Sequence, residues 1–259
     1  MPFANTGKGK LHYEIEGDVH APVLVLSNSL GTTLDMWLPQ QAALLEHFRV
    51  LRYDTRGHGK SDVTAGPYSI AQLGGDVVAL LDHLNIPRAH FCGLSMGGMT
   101  GIWLGIHAPD RIDRLVLCNT SAAIGVPEMW NARIDQVRQG GMQSVIDAVL
   151  DRWFTADFLS NAPTQVERVK AMLMAASVEG YAANCAAVRD MDQRADLGRI
   201  SAPTLVIGGK HDKSTPPEHG ELIARAIPRA GYVELNAAHL SNWEAAQAFT
   251  QQVQHFLLS

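Results

Sequence analysis

Ser95 lies between two glycines in the stretch GLSMG, residues 93–97, after a short apolar run and before a helical pattern. The spacing G-x-S-x-G in this context is typical of a nucleophile elbow, a sharp strand-to-helix turn that exposes the serine hydroxyl. The glycines leave room for the strand and the helix to approach each other. The turn would also place the backbone N–H of Met96 beside any carbonyl carbon that Ser95 attacks. The structural alternative is a glycine-rich turn with a capping serine.

A serine hydroxyl needs a base, and the chain contains 11 histidines. His239, in the stretch AAHLSN, follows the last predicted strand and precedes the last predicted helix. Asp212 follows another predicted strand, and a buried carboxylate there would hold the imidazole tautomer and stabilise the imidazolium. We therefore expect Ser95, Asp212 and His239 to form a catalytic triad. Asp190 and Asp192 are alternative acids only if the helical insertion supplies the acid.

A second donor for a developing oxyanion is expected after the first apolar strand. The stretch LSNSLGT, residues 26–32, ends that strand and continues as a turn of small residues. By position, the N–H of Leu30 would point at the same oxyanion as the N–H of Met96. Losing one such donor costs roughly 3 kcal/mol in related chemistry, so we expect this turn to be rigid.

Short apolar runs predict the strands that must carry these residues. The runs are apolar throughout rather than alternating, as in parallel strands that are covered on both faces. They occupy residues 22–27, 48–54, 88–92, 113–118, 203–207 and 231–235.

Helical patterns lie between and after these runs. Apolar residues recur at helical spacing from Ile70 to Leu84, with Ser69 as a candidate N-cap, and again from Trp243 to Leu257. Strands that alternate with helices predict an α/β fold with a mostly parallel central sheet flanked by helices.

One region lacks strand-like runs. Between residues 120 and 202 the pattern is helical and rich in Met, Ala, Arg and Gln. We interpret it as a helical cap over the carboxyl ends of the strands. The remaining residues, 1–119 and 203–259, would form the core.

Composition excludes several classes of protein. A formal net charge of −5 and a pI near 6.1 argue against a nucleic-acid-binding protein. No apolar run approaches the roughly 20 residues that span a membrane, and no secretory signal is visible, so we expect a cytoplasmic protein. The three cysteines form no CxxC pair or Cys/His cluster, so no metal is expected. Cys92 and Cys118 lie in apolar runs and are expected to be buried.

Taken together, the elbow, the order of the three triad residues and the cap resemble the α/β-hydrolase superfamily over the whole chain. The similarity is closer to the 3-oxoadipate enol-lactonases, which open an enol-lactone in the protocatechuate branch of the β-ketoadipate pathway. It is carried by the stretches VLVLSNSLGTTLDMW, VLRYDTRGHGKSD, HFCGLSMGGM, RLVLCNTSAAIG, AAVRDMDQRADL and AAHLSN. In this superfamily the nucleophile, the acid and the histidine follow in the order found here.

The resemblance implies a serine hydrolase that works through an acyl-enzyme, with no metal or organic cofactor and a small-molecule lactone as its substrate. His239 would take the proton of Ser95 and later activate water. The substrate carries a carboxylate, so the cap should offer a cation. Arg189 is our first candidate, with a salt bridge to a neighbouring aspartate as the alternative. Trp130 and Trp153 would wall the pocket, unless they serve only to pack the cap.

The loop DTRGHG, residues 54–59, resembles the D-x-R-G-x-G turn of the superfamily. We interpret Asp54, Arg56 and His58 as a structural, hydrogen-bonded corner. A phosphate-binding role is less favoured because no G-x-x-x-x-G-K-[ST] motif is present.

Other functions share the same residues. The same triad serves carboxylesterases, perhydrolases and carbon–carbon bond hydrolases, and a fold does not fix a function. A ligand receptor that retains its triad is a further alternative. Turnover separates the two classes, since a receptor shows little or single-turnover hydrolysis.

Overall fold

A computed structural model describes residues 2–259, and its centre is one eight-stranded sheet. The strands are β1 Phe3–Asn5, β2 Lys10–Glu16, β3 Val23–Ser27, β4 Arg49–Tyr53, β5 Ala89–Leu94, β6 Ile112–Cys118, β7 Thr204–Gly209 and β8 Ala230–Leu235. Their order across the sheet is β1-β2-β4-β3-β5-β6-β7-β8. The pairs β1/β2 and β2/β4 are antiparallel, and every other neighbouring pair is parallel. The mostly parallel sheet predicted from the sequence is confirmed.

Helices connect the strands and flank the sheet. They are α1 Leu38–Leu45, α2 Ile70–His83, α3 Met96–His107, α4 Pro127–Gly140, α5 Gln143–Trp153, α6 Ala156–Asn161, α7 Pro163–Ala175, α8 Val178–Arg189, α9 Pro217–Ala226, α10 Ser241–Glu244 and α11 Ala246–Leu258. Ser69 is the N-cap of α2, as predicted, because its Oγ accepts the N–H of Gln72 at 3.2 Å. The helical pattern near the C-terminus is divided into two helices, α10 and α11.

All six predicted apolar runs form strands, from β3 to β8. The strands β1 and β2 carry none of these runs. In β2, the sequence KLHYEIE alternates between apolar and charged residues, and the strand is antiparallel to both of its neighbours. Such alternation is typical of an antiparallel strand with one wet face, so a search for continuous apolar runs misses it.

Both faces of the central strands are buried. In β3, Leu24 and Leu26 belong to one apolar cluster, while Val25 between them belongs to the cluster on the opposite face. This arrangement explains why the central strands are apolar throughout. Cys92 and Cys118 are free and fully buried, as expected.

The segment between β6 and β7 is helical. Within the described residues it contains α4 to α8 and one 3-10 helix, Arg194–Arg199, and no strand. Apolar side chains of these helices, such as Trp130, Val149 and Leu173, join the apolar cluster that also holds Leu24 and Leu26. These helices therefore pack continuously with one side of the core.

Candidate active site

Ser95 forms the turn between β5 and α3. Its backbone has φ +57°, a value that non-glycine residues rarely adopt. The turn is fixed by its own hydrogen bonds: the N–H of Ser95 donates to Cys118 O at 2.9 Å, and Thr120 Oγ1 donates to Ser95 O at 2.7 Å. A Cβ on Gly97 would lie 2.1 Å from the carbonyl oxygen of Ser27, so only glycine allows this close approach.

His239 and Asp212 form a buried pair at the same edge of the sheet. Asp212 lies on the loop after β7, and His239 lies between β8 and α10. The distance between His239 Nδ1 and Asp212 Oδ2 is 2.8 Å. Because the ionised carboxylate can only accept, Nδ1 carries the proton and Nε2 is left with its lone pair. The histidine is thereby oriented as a base.

Several donors surround the carboxylate of Asp212. Its Oδ1 accepts the N–H groups of Ser214 at 2.7 Å and Thr215 at 2.9 Å. Its Oδ2 also accepts Thr215 Oγ1 at 2.8 Å and Asn119 Nδ2 at 3.0 Å. Burial by itself raises the pKa of Asp212, but the charge and hydrogen bond of His239, with the donors on Thr215 and Asn119, lower it below its usual value. The acid is held ionised.

Asn119 was not singled out in the sequence, although it joins three parts of the site. Its Nδ2 donates to Asp212 Oδ2 and, at 3.2 Å, to Ala238 O beside the histidine. Its Oδ1 accepts Ser241 Oγ at 2.6 Å. The available signal was its position, because a polar residue directly after a buried parallel strand lies at the edge where the other loops meet.

Ser95 and His239 border one small cavity, together with Leu30, Met96, Ser214 and Thr215. Its volume is about 50 Å³, which is room for a few water molecules only. Among the hydrogen bonds of residues 2–259, none joins Ser95 Oγ to His239 Nε2. Such bonds are often long in the absence of a substrate. The structure therefore brings Ser95 and His239 to one cavity and pairs His239 directly with Asp212.

The two expected oxyanion donors also border this cavity. Leu30 lies in the turn after β3, and Met96 is the first residue of α3. In the part of the chain that the structure describes, neither backbone N–H donates to a protein acceptor. The turn that carries Leu30 is closed by the N–H of Thr32, which donates to Ser29 O at 3.2 Å. Two residues whose N–H groups have no protein acceptor within residues 2–259 thus border the same cavity as Ser95.

The helices between β6 and β7 close the cavity from the other side. Trp130 of α4 and Trp153 of α5 both border it. The ring of Trp153 lies 5.9 Å from the ring of His239. Trp130 Nε1 donates to Ile124 O at 3.1 Å, which fixes its orientation. Both tryptophans therefore contribute apolar wall close to the serine.

Arg189 does not border this cavity, contrary to the expectation for the substrate cation. It lines a separate groove with Arg138 and Glu179, and it pairs with Asp190 through two hydrogen bonds of 2.7 Å. Arg189 is the last residue of α8, and its guanidinium also donates to Asn131 Oδ1 at 2.7 Å. The two alternative acids do not border the cavity either, and Asp190 forms an ion pair with Arg189 while Asp192 forms one with Arg194.

The cation that borders the cavity is Arg133 of α4. Its guanidinium lies over the ring of Trp130, 5.4 Å from the centroid. Nearby is Arg152 of α5, whose pKa is lowered by burial and by the charge of Arg133. Neither arginine forms an ion pair with a carboxylate within residues 2–259. Two neighbouring, half-buried cations that form no ion pair within residues 2–259 favour the binding of an anion here.

Within residues 2–259, no group of three or more His, Cys, Asp or Glu side chains could hold a metal ion. In the same residues, no single helix is long and apolar enough to cross a membrane. The helices α7 and α8 together are long and apolar enough, by length and composition only, but the pair is bent by 96° at the break between them.

Known proteins resemble this chain in sequence and in structure. A family model described as alpha/beta hydrolase fold matches residues 22–145. The 3-oxoadipate enol-lactonase 2 of Acinetobacter baylyi is 45% identical over 244 residues, which cover 94% of this chain and 91% of that relative. The 3-oxoadipate enol-lactonase 1 of the same organism is 40% identical and covers 96% and 93%.

A crystal structure of the enol-lactonase from Burkholderia xenovorans LB400 superposes with a TM-score of 0.98 at 52% identity, and it covers 100% of both chains. The likeness therefore extends beyond the sheet to the helices between β6 and β7.

Proposed function

This chain belongs to the 3-oxoadipate enol-lactonase family of the α/β-hydrolases, and on that premise we propose that it opens 3-oxoadipate enol-lactone to 3-oxoadipate through an acyl-enzyme on Ser95. That it is a hydrolase of lactones or esters follows from its relatives. The finer proposal is supported chiefly by one observation: Ser95, the base His239 and two free N–H groups border a single cavity.

In the first half of the proposed reaction, Ser95 is acylated. His239 Nε2 takes the hydroxyl proton as Oγ attacks the lactone carbonyl carbon, and Asp212 stabilises the imidazolium that forms. The N–H groups of Leu30 and Met96 donate to the tetrahedral oxyanion. Collapse breaks the bond between the carbonyl carbon and the ring oxygen. The electron pair leaves on that oxygen as an enolate, which accepts the imidazolium proton and becomes the ketone.

In the second half, water releases the product. His239, again neutral, takes a proton from water as the hydroxyl oxygen attacks the acyl carbon. The same two N–H groups hold the second oxyanion. Collapse returns the electron pair to Ser95 Oγ, which regains the proton from His239, and 3-oxoadipate departs. The cycle consumes one water molecule and needs no electron acceptor.

We assign recognition of the substrate carboxylate to Arg133 in place of Arg189. Arg133 borders the cavity of Ser95, and Arg152 adds a second positive charge behind it. A guanidinium can bind a carboxylate through two parallel hydrogen bonds, which fixes orientation as well as charge. Because the cavity is small, the substrate must displace side chains such as Arg133 or the two tryptophans as it enters.

The domain assignment fits this chemistry. We propose residues 1–119 and 203–259 as the hydrolase core and residues 120–202 as the cap. The support is that the triad residues lie on the former, whereas Trp130, Trp153 and Arg133 lie on the latter. By the same resemblance, we propose a role in the protocatechuate branch of the β-ketoadipate pathway, in the cytoplasm.

The test is an assay of the purified protein on 3-oxoadipate enol-lactone beside a simple aryl acetate. We expect many turnovers on the lactone and a kcat/KM well above that for the aryl ester. Ser95→Ala should lose nearly all activity on both substrates while it keeps the thermal midpoint of the parent. A higher kcat/KM on the aryl ester would favour a carboxylesterase. A single turnover would favour a receptor, and an active Ser95→Ala would refute the nucleophile.

A further inference from the structure

The turn after β3, residues 28–32, carries Leu30 and is called the oxyanion turn below. His58 lies directly beside this turn, although no step of the proposed reaction uses it. It belongs to the loop of residues 54–59 and is 1% exposed. Its Nε2 accepts the backbone N–H of Gly31 at 2.7 Å. Gly31 follows Leu30, whose own N–H is the proposed oxyanion donor. The acceptor on His58 therefore fixes the peptide next to that donor.

The surroundings of the ring select one tautomer. Because Nε2 accepts, the proton must be on Nδ1, where Arg56 O is available as an acceptor at 3.4 Å. Asn184 Nδ2 is 3.3 Å from the same Nδ1, but it donates to Arg56 O and to Gly180 O, each at 2.8 Å. Burial lowers the pKa of His58 to about 4, so the ring stays neutral and Nε2 remains an acceptor near neutral pH.

The same loop is docked against cap helix α8. A Cβ on Gly180 would lie 2.0 Å from the carbonyl oxygen of Gly57, so the two backbones touch. Asn184, one turn further along α8, is fully buried and donates to Arg56 O. The loop is thus fixed to α8 on one side and, through His58, to the oxyanion turn on the other.

The oxyanion turn itself also meets the cap. Gly31 has φ +84°, and a Cβ there would lie 2.7 Å from Leu173 Cδ2 and 3.1 Å from Tyr181 Cε2. Leu173 belongs to α7 and Tyr181 to α8. Steric contact from the cap thus limits Gly31 on one side, while the hydrogen bond to His58 holds its N–H on the other.

We propose that His58 is a positioning residue, which holds the oxyanion turn in register through the Gly31 N–H, and that Asn184 ties this arrangement to the cap. The inference rests on the proposed function, because it takes the N–H of Leu30 as an oxyanion donor. Its effect is confined to the transition state. Without the acceptor, the turn can rotate the Leu30 N–H away from the oxyanion while the rest of the pocket still binds the substrate.

Two variants that differ by one methylene group test the proposal. The amide oxygen of His58→Gln reaches about as far as Nε2 and can accept the Gly31 N–H, whereas that of His58→Asn reaches only as far as Nδ1. Removing one oxyanion donor outright costs about 100- to 1,000-fold in kcat. Misplacing one should cost less, so we expect His58→Asn to lose at least about tenfold in kcat/KM and His58→Gln to stay within about threefold of the parent.

Two ligands separate positioning from a general loss of structure. An alkyl boronic acid forms a tetrahedral adduct with a serine nucleophile, so its inhibition constant should rise in His58→Asn by the same factor as kcat/KM falls. The product 3-oxoadipate should bind both variants as it binds the parent. His90→Asn is the matched control, since its half-buried ring packs on Phe48, outside the cavity. Equal kcat/KM for the two His58 variants, or equal weakening of both ligands, would overturn the proposal.

A second substrate separates failure of the His58 proposal from failure of the proposed lactonase function. The comparison is made on an aryl acetate as well as on the lactone, because an oxyanion donor serves any ester that Ser95 attacks. Activity on the acetate alone would remove the lactone assignment and still test His58. Should neither variant fold, nitrogen NMR of the parent protein decides: an Nδ1–H tautomer of His58 supports the proposal, and an Nε2–H tautomer overturns it.

Discussion

Asp212→Asn should lower kcat/KM by about 10⁴-fold because the amide forces His239 into the wrong tautomer. Oδ1 of Asp212 accepts two backbone N–H groups, from Ser214 and Thr215. In the variant this position must hold the amide oxygen. The amide NH₂ then occupies the position of Oδ2 and faces His239 Nδ1 and Asn119 Nδ2, where the parent carboxylate accepted both.

The consequence for His239 follows from hydrogen-bond polarity. Facing a donor, Nδ1 must become the acceptor, so the proton moves to Nε2. The nitrogen next to Ser95 then cannot take the hydroxyl proton. A factor of 10⁴ corresponds to about 5 kcal/mol of lost transition-state stabilisation, at about 1.36 kcal/mol for each tenfold. Product binding should change little, because Asp212 does not border the cavity.

The assay is steady-state hydrolysis of the lactone and of an aryl acetate near neutral pH, with near-UV circular dichroism to verify the fold. Asp190→Asn is the control, since Asp190 is exposed and pairs with Arg189 instead of a histidine. It should retain the activity of the parent within about twofold, as surface changes usually do. If Asp212→Asn folded normally and kept more than a tenth of the parent kcat/KM, the tautomer argument would be refuted.

Three further variants test the cation beside the cavity, the turn at Ser95 and the charge of Asp212. Arg133→Ala should lower kcat/KM for the anionic lactone far more than for a neutral ester, whereas Arg189→Ala should leave their ratio unchanged. Gly97→Ala should lower the free energy of unfolding in urea by at least about 3 kcal/mol, because its Cβ would lie 2.1 Å from a backbone oxygen. The control Gly75→Ala should not lower the free energy of unfolding, because its Cβ would have nothing within 4 Å. The folded state lowers the pKa of Asp212, so the ionised carboxylate stabilises the fold at pH values above the ordinary carboxyl pKa of about 4. This stabilisation is lost as the pH falls and Asp212 takes up a proton. The difference in urea midpoint between the parent and Asp212→Asn should therefore be smaller at about pH 3 than at about pH 7.

Much of the fold could be predicted because local patterns carry it. The apolar runs predicted β3 to β7 since these strands lie inside the sheet and burial on both faces favours apolar residues there. The edge strand β8 is mostly unburied, and its run is weaker. The strand β2 was missed because its apolar residues alternate with polar ones and form no continuous apolar run. Ser69 was identified as an N-cap from residue type alone, since capping involves only the next three residues.

Part of the candidate site could likewise be predicted from local patterns, and part could not. Ser95, Asp212 and His239 were predictable because each follows a strand, and the carboxyl ends of parallel strands meet at one edge. Asn119 satisfies the same rule, yet its use of both amide ends to hold Asp212 and Ser241 depends on three loops meeting. Which arginine borders the cavity could not be predicted for a comparable reason. Arg133 and Arg189 lie on neighbouring helices, and their spacing in the chain does not say which side chain faces the cavity.

Local sequence patterns were enough to predict β3 to β8, the turn at Ser95 and the loops that carry Asp212 and His239, because steric limits and hydrophobic burial act over a few residues. Which guanidinium borders the cavity, and which side chain accepts the N–H of Gly31, depend on contacts between distant parts of the chain. Those outcomes depend on how α4, α7 and α8 seat on the core, where contacts such as Gly57 with Gly180 join residues more than a hundred positions apart. No local preference encodes them, since their energy exists only once the distant surfaces have met.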